Sequence, residues 1–429
     1  MGPVCLSGMR WLVAALLAAC GYSSSPPADK APVVAPVHGG SAQLAAAATA
    51  TTSKSNLVEG GSVKPHHEEA VVDCPAKILD TLDDDAKVSA LLDEANKQIE
   101  AGIFGAAWTC ADRAADLSPT SVEANHLRGA ALAALGRDTE AATAYALALA
   151  LDPDDPETLR AVADFYINGK GERGRDALRL GLELAQRGSR RALARRRRNA
   201  PLAADLAVLE AQALNDLGRS DEALERIDAA LRIAPGRGDA LHEKGVALFD
   251  LSRFAEAKSA FQKALGIQPD DAYTHQMLGL TLEQLADPGA DAELDRAVKL
   301  APTELTAPVL ISKAEFQREI DAVIATLALE RRTHVKRIKI DIEDLPLPDD
   351  LKAVQPPFPP TILGLYRGPV GRAPAPDDEP SSIVLYRKNL ARAVKTRTEL
   401  TEQIRDTLLH EIGHLEGLDE DDLRRRGME

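Results

Sequence analysis

His410-Glu411-Ile412-Gly413-His414 is the stretch of this chain best suited to chemistry. Two histidines four residues apart on a helix lie on one face, one turn above the other. Two imidazoles so placed can fill two positions of a tetrahedral zinc. A glutamate beside the first histidine is placed to act as general base on an attacking water. The alternative is a solvated amphipathic helix that carries histidines by accident. With only nine histidines in 429 residues, a chance pair with a correctly spaced Glu is the weaker explanation.

A helix must present this pair, and its limits are readable. Thr396 and Glu399 have capping-box spacing. Leu400, Ile404, Leu408, Ile412 and Leu415 form an apolar stripe. Gln403, Thr407, His410, Glu411 and His414 fall on a neighbouring face, which is expected to look into a cleft. Gly417 is a natural stop. The acidic turn Asp419, Glu420, Asp421, Asp422 follows, and a catalytic zinc needs a third protein ligand. In the longer pattern H-E-x-x-H-x-x-G-x-x-(H/D), that ligand lies three residues beyond the glycine, which is Glu420. Asp419 is the nearest competitor. The expected set is therefore one zinc on His410, His414 and Glu420, with Glu411 as base.

The last ~120 residues resemble a small family of bacterial minimal zincins, zinc metallopeptidases built from a short sheet and the motif helix. The stretches that carry the resemblance are Phe316 to Ile342, Ile362-Leu-Gly364-Leu-Tyr366-Arg-Gly368, Ile383-Val-Leu-Tyr386-Arg and His410 to Leu423. Members of that family place Asp where this chain has Glu420. The resemblance implies zinc-dependent cleavage of a peptide or protein substrate and names no target. It also implies an edge strand beside the motif helix that holds an extended peptide.

The surrounding elements read as follows. Ser312 and Glu315 form another capping box and open a helix to about Leu329. Ile338, Ile340 and Ile342 alternate with polar residues as in a half-buried strand, and Ser381 to Tyr386 is a second strand. Residues 344–380 are proline-rich and expected to form a long loop over the site. Tyr366 and Tyr386 are either oxyanion donors or, more commonly for such residues, core.

A 34-residue self-similarity runs through the middle of the chain. Ala211, Leu214, Gly218, Ala223, Ile227, Ala230 and Pro235 define one unit. Gly245, Leu248, Phe254, Ala257, Phe261, Ala264 and Pro269 repeat it, as do Gly129, Leu132, Gly136, Ala141, Tyr145, Ala148 and Pro153. The pattern resembles the tetratricopeptide repeat, a helix pair per unit with small residues at close crossings. About six units are expected over 85–304, with an Arg-rich insertion near 189–200 (Arg190 to Arg198). The concave face of such an array commonly receives a protein partner. An array of this kind is also expected to fold without residues 308–429. The fold class is mostly α: a tetratricopeptide-repeat helical solenoid plus a small α+β zincin-like domain over 308–429.

The N-terminus reads as a targeting segment. Met9-Arg10 precedes the apolar run Trp11 to Ala18, too short to span a bilayer comfortably. Leu17-Ala-Ala-Cys20-Gly21 resembles a bacterial lipobox. That resemblance implies a signal peptide over 1–19, lipidation of Cys20 and a membrane anchor. Gly21, rather than aspartate, points to the outer membrane facing the periplasm. Residues 20–72 are rich in Ser, Pro, Ala and Gly and read as a tether; His66-His67 within it are given no role. Cys74 and Cys110 remain after maturation, either as a disulfide or as free thiols. A net charge of −15 argues against nucleic acid as partner. Two functions follow: a cell-envelope zinc metallopeptidase whose repeats recruit substrate or partner, or a non-catalytic repeat scaffold lipoprotein whose zincin domain is structural or vestigial.

Overall fold

The computed structural model describes residues 13–15, 73–75, 83–169, 174–194, 199–336, 338–368, 381–416, 418 and 420–425. Cys20, most of the expected leader, all of the tether, Arg195 to Arg198, Gly417 and Asp419 lie outside the described residues. So do the side chains of Glu420 and Asp421. Among the described residues, no helix is long and apolar enough to cross a membrane.

After a three-residue strand β1 (Val13–Ala15), twelve helices follow in consecutive pairs. They are α1 (Asp84–Glu100) with α2 (Phe104–Leu117), α3 (Val122–Ala134) with α4 (Asp138–Leu151), and α5 (Pro156–Asn168) with α6 (Arg175–Ala192). Then come α7 (Ala200–Asp216) with α8 (Ser220–Ile233), α9 (Gly238–Asp250) with α10 (Phe254–Ile267), and α11 (Ala272–Gln284) with α12 (Ala290–Leu300). The starts are locally encoded. Asp83, Ser121, Asp155 and Asp271 each accept a hydrogen bond from a first-turn amide. The turn inside a pair needs a left-handed residue. Gly102 and Gly136 supply it 34 residues apart, and Gly218 does so with the non-glycines Ser252 and Ala286, again at 34-residue steps. Within pairs, glycine permits close crossing: a Cβ on Gly245 would stand 2.4 Å from the Phe261 ring, and one on Gly129 2.6 Å from Tyr145.

Arg190 and Arg191 belong to the last turn of α6 and not to an inserted loop, and Arg191 with Arg187 pairs Asp154. The helix pattern is degenerate there in sequence but intact in structure. A disulfide joins Cys74 to Cys110 of α2, so of the two expectations for these cysteines the bonded one holds.

Helices α1 to α6 and α7 through Ala213 form one compact unit; the chain from Leu214, apart from 232–234, belongs to a second, with β1. In that second unit α13 (Lys313–Thr326) opens with the expected capping box, Ser312 with Glu315, and α14 (Leu329–Val335) follows. Next come β2 (Lys339–Glu343), α15 (Pro348–Leu351), β3 (Gly364–Arg367), β4 (Ser382–Tyr386), α16 (Arg387–Arg392), α17 (Arg397–Leu415) and α18 (Glu420–Arg425). The sheet order is β1-β3-β4-β2. β2 runs parallel to β4, with Ile340 opposite Ile383; β3 runs antiparallel to it, with Tyr366 opposite Ile383 and Gly364 opposite Leu385.

The long loop expected over 344–380 is therefore interrupted by α15 and by β3, next to β4 in the sheet. β3 was hard to read because it has only four residues and is buried on both faces, which removes the polar alternation of a half-exposed strand. Ile342, Ile383, Leu385 and Tyr366 share one core with Phe316 and Ile320 of α13 and with Leu400, Ile404, Leu408 and Ile412 of α17. The opposite face, Leu365, Val384 and Tyr386, joins a core with Val246, Phe249, Phe254, Met277, Leu278 and Leu282 of the repeats. The sheet is thus packed between the motif helix and the last repeat helices, and the core does not break at 304–308, where the sequence places a boundary.

Candidate metal centre

Helix α17 presents the motif. Its capping box forms as expected: Thr396 Oγ1 accepts from the Glu399 amide at 3.2 Å, and Glu399 Oε2 accepts from the Thr396 amide at 3.2 Å. The stripe Leu400, Ile404, Leu408, Ile412 is buried against the sheet and fixes the rotation of the helix. That rotation places His410, Glu411 and His414 on the neighbouring face. The face does not open to solvent as expected: His410 is 2% exposed, Glu411 0% and His414 3%.

Gly364 explains the burial. It begins β3 directly over the helix, and a Cβ there would lie 2.7 Å from Thr407 Cγ2 and 3.4 Å from Glu411 Oε1. Only a residue without a side chain lets the strand cover this face while leaving room for the carboxylate. Thr407 lies on the histidine face, where the helix pattern places it, whereas Gly364 is a site residue that the motif spacing does not reveal. A glycine inside the apolar run Ile362-Leu-Gly-Leu-Tyr is the sequence signal of such a close approach.

The two imidazoles converge. His414 Nε2 lies 3.0 Å from His410 Nε2, with ring centroids 4.7 Å apart. His414 Nδ1 is 3.1 Å from the Leu418 carbonyl oxygen. A carbonyl can only accept, so His414 carries its proton on Nδ1 and aims the Nε2 lone pair toward His410. Nitrogens sharing one tetrahedral zinc at ~2.0–2.1 Å stand about 3.3 Å apart. The pair is within a few tenths of an ångström of that spacing, is buried, and has the ligand tautomer on His414. These residues fit a zinc ion.

The turn that follows is held close. The Leu418 amide donates to the Gly413 carbonyl at 3.0 Å, and Leu423 is fully buried, which pins α18. Arg331 of α14 pairs Glu416 at 3.7 Å just past the end of α17. Glu420 is the first residue of α18, so its backbone follows Leu418 by two residues. With its side chain and the whole of Asp419 outside the described residues, the third position stays as the sequence left it. Among the described residues, no group of three or more His, Cys, Asp or Glu side chains is placed to hold a metal ion together.

The tyrosines are core. Tyr366 is buried in the α17 core and donates to Ser381 Oγ at 3.0 Å. Tyr386 is buried on the other face, 3.4 Å from Asp350, and burial raises its phenol pKa well above the usual range.

Comparison with known proteins agrees with both halves of the chain. A family model described as Zincin-like metallopeptidase matches residues 335–428. Tetratricopeptide-repeat models match residues 92–156 and 238–271. The chain thus carries tetratricopeptide repeats and a C-terminal zincin-like metallopeptidase domain. Similar solved structures include pilF of Pseudomonas aeruginosa, 15% identical over 55% of this chain and 99% of that one, with a TM-score of 0.43. PilW, a type IV pilus biogenesis factor, is 15% identical over 50% of this chain and 94% of that one, with a TM-score of 0.44. YrrB, a tetratricopeptide protein with an unusual peptide-binding site, is 18% identical over 45% and 93%, with a TM-score of 0.34. These likenesses are too distant to carry function. No curated protein matches.

Proposed function

We propose that this tetratricopeptide and zincin-like chain is a zinc-dependent peptidase of the bacterial cell envelope, its repeats recruiting a substrate or partner protein. The observation that carries the reading is the buried His410–His414 pair, Nε2 to Nε2 at 3.0 Å, with Glu411 buried on the same helix face. His410 and His414 would hold one zinc, with Glu420 as the third ligand and Asp419 as its rival. When bound, the zinc supplies a Lewis acid for the scissile carbonyl. Glu411 takes the proton of the attacking water on a carboxylate oxygen and returns it to the leaving nitrogen. The water oxygen thereby joins the carbonyl carbon as the carbon–nitrogen bond breaks. The Leu418 carbonyl keeps His414 in its ligand tautomer, and Gly364 keeps strand backbone clear of Glu411.

β1 pairs antiparallel with β3, Ala14 opposite Tyr366, and belongs to the leader whose removal before Cys20 is part of this proposal. Its departure leaves β3 as an edge that an extended substrate can join by backbone pairing. Lipidation of Cys20 and the tether to residue 72 would hold the enzyme at the outer membrane. The Cys74–Cys110 disulfide supports an oxidising compartment such as the periplasm.

The test is metal content and peptidase activity of the same preparations. His410→Ala and His414→Ala should lose stoichiometric zinc. Glu411→Gln keeps the ligands, so zinc should stay while hydrolysis falls to background. Glu420→Ala should weaken zinc more than Asp419→Ala, and the reverse order moves the third ligand to Asp419. Full activity in Glu411→Gln would overturn the base assignment. Zinc binding by a wild type that cleaves nothing in a broad peptide library would favour the scaffold reading.

A further inference from the structure

The repeats reach the metal centre through a short chain of polar contacts. Glu283, near the end of α11, has a side chain only 4% exposed, yet it meets two cations of the zincin-like domain. Lys388 Nζ donates to its Oε1 at 2.8 Å, and the Arg392 guanidinium meets its Oε2. Both cations lie on α16, six residues that directly follow β4. Between them in sequence, Asn389 is buried and turns the other way. Its Nδ2 donates to the carbonyls of Pro360 at 2.9 Å and Ile362 at 2.8 Å. These two carbonyls lie in the entry to β3. The Tyr386 amide then donates to the Leu363 carbonyl at 2.9 Å, and the next residue is Gly364, against Thr407 and Glu411.

We propose that Glu283 is a positioning residue for the metal centre: it anchors α16 so that Asn389 sets the height of β3 over Glu411. The last repeat pair is then part of the enzyme's working apparatus and not only a recruiting arm. The link to catalysis rests on the peptidase reading above, whereas the positioning of β3 does not. Physical chemistry favours a strong effect. Neutralising a carboxylate this buried leaves Lys388 and Arg392 without their counter-charge in a place where water cannot fully replace it. The two cations lie on the same short helix as Asn389, so loss of the anchor is felt where that residue grips the backbone. Not even a Cβ fits between Gly364 and Thr407, where it would lie at 2.7 Å, so the strand has little room to shift toward the helix that carries Glu411.

Glu283→Gln in the full chain tests this, since it keeps shape and removes charge. Amide hydrogen exchange of β3 should accelerate by about tenfold or more while α1 to α6 are unaffected. Zinc content should persist, and kcat should fall by about tenfold or more at unchanged KM, because misplacement and not binding is altered. Asn389→Ala should give the same β3 signature, and the double variant should be no worse than either single one. If Glu283→Gln folds poorly, Lys388→Gln, which leaves Arg392 in place, is the milder probe of the same contact. Unchanged β3 exchange in a chain whose melting temperature has dropped would overturn the proposal, as would additive effects of the Glu283 and Asn389 substitutions. A wild type that hydrolyses nothing would instead remove the peptidase reading, and the exchange result would still decide whether Glu283 positions the strand.

Discussion

Gly364→Ala is the sharpest perturbation available at this site. The added Cβ would meet Thr407 Cγ2 at 2.7 Å and the Val384 carbonyl at 3.3 Å. Ordinary carbon–carbon contact is about 3.5–4.0 Å, so the strand and α17 must separate by roughly 1 Å or Thr407 must turn. Both partners are held. Thr407 is fully buried, and α17 is fixed by Leu400, Ile404, Leu408 and Ile412 in the core below. Overpacking of this kind costs about 1–3 kcal/mol. A displacement of about 1 Å at a base can cost on the order of 100-fold in rate. The variant should therefore melt several degrees lower, keep its zinc, and lose far more activity than its stability change explains. Thr407→Ser removes the methyl group that clashes and keeps the hydroxyl. Combined with Gly364→Ala, it should recover most of the lost melting temperature and part of the rate. The assay is calorimetry and zinc analysis beside peptidase kinetics. A Gly364→Ala chain indistinguishable from wild type, or one that Thr407→Ser fails to rescue, would refute the close-approach argument.

Ser252 and Ala286 hold left-handed turn positions that glycine fills in other repeats, at φ 56 and 51 degrees. Replacing each by glycine should stabilise by about 0.5–1 kcal/mol, because strain relief outweighs the added chain entropy, and denaturant melts would report it. Glu315 is held at about 2 by the Ser312 hydroxyl and amide and by Arg397, against 4.5 when unfolded. Because the folded value is the lower, its stabilising effect is complete above pH 4.5 and is lost as pH falls from there to about 2. Acid titration of unfolding should show that loss, and Glu315→Gln should flatten it. Removal of residues 308–429 should expose Val246, Phe249, Met277 and Leu282. At ~1.5–3 kcal/mol per large apolar side chain, losing Leu351, Ile362, Leu365, Val384 and Tyr386 removes on the order of 10 kcal/mol, comparable to a whole domain's stability. The truncated array should bind a hydrophobic dye and melt α9 to α12 early, and a fully cooperative melt like wild type would contradict this.

What was legible in the sequence was local. Capping boxes at Ser312–Glu315 and Thr396–Glu399 act over three residues, so their spacing alone predicts them, and both form. The i, i+4 histidine pair is fixed by helix geometry in the same way. The repeats are legible because most units restate the rule, down to left-handed turns 34 residues apart at 102 and 136 and again at 218, 252 and 286. What escaped was set by distant parts of the chain. β3 lacks alternation because both faces are covered, one by α17 and one by the repeats. The burial of Glu411 depends on a glycine 47 positions earlier. The Cys74–Cys110 bond needed the fold to choose between two chemically reasonable states.

The same long-range packing changes where a partner can bind. A tetratricopeptide array is usually read as offering its first helices along one continuous face. Here Val246 and Phe249 of α9 share a core with the zincin-like sheet, and Glu283 of α11 is taken by Lys388 and Arg392. The last two first-helices therefore commit those residues to a partner within the chain. Recruitment, on the proposed reading, falls to α1, α3 and α5, in the unit that carries the disulfide and follows the tether. Surface substitutions on α3 and α5 should then reduce capture of a protein substrate without changing cleavage of a short peptide. Equal loss on both substrates would place recruitment elsewhere.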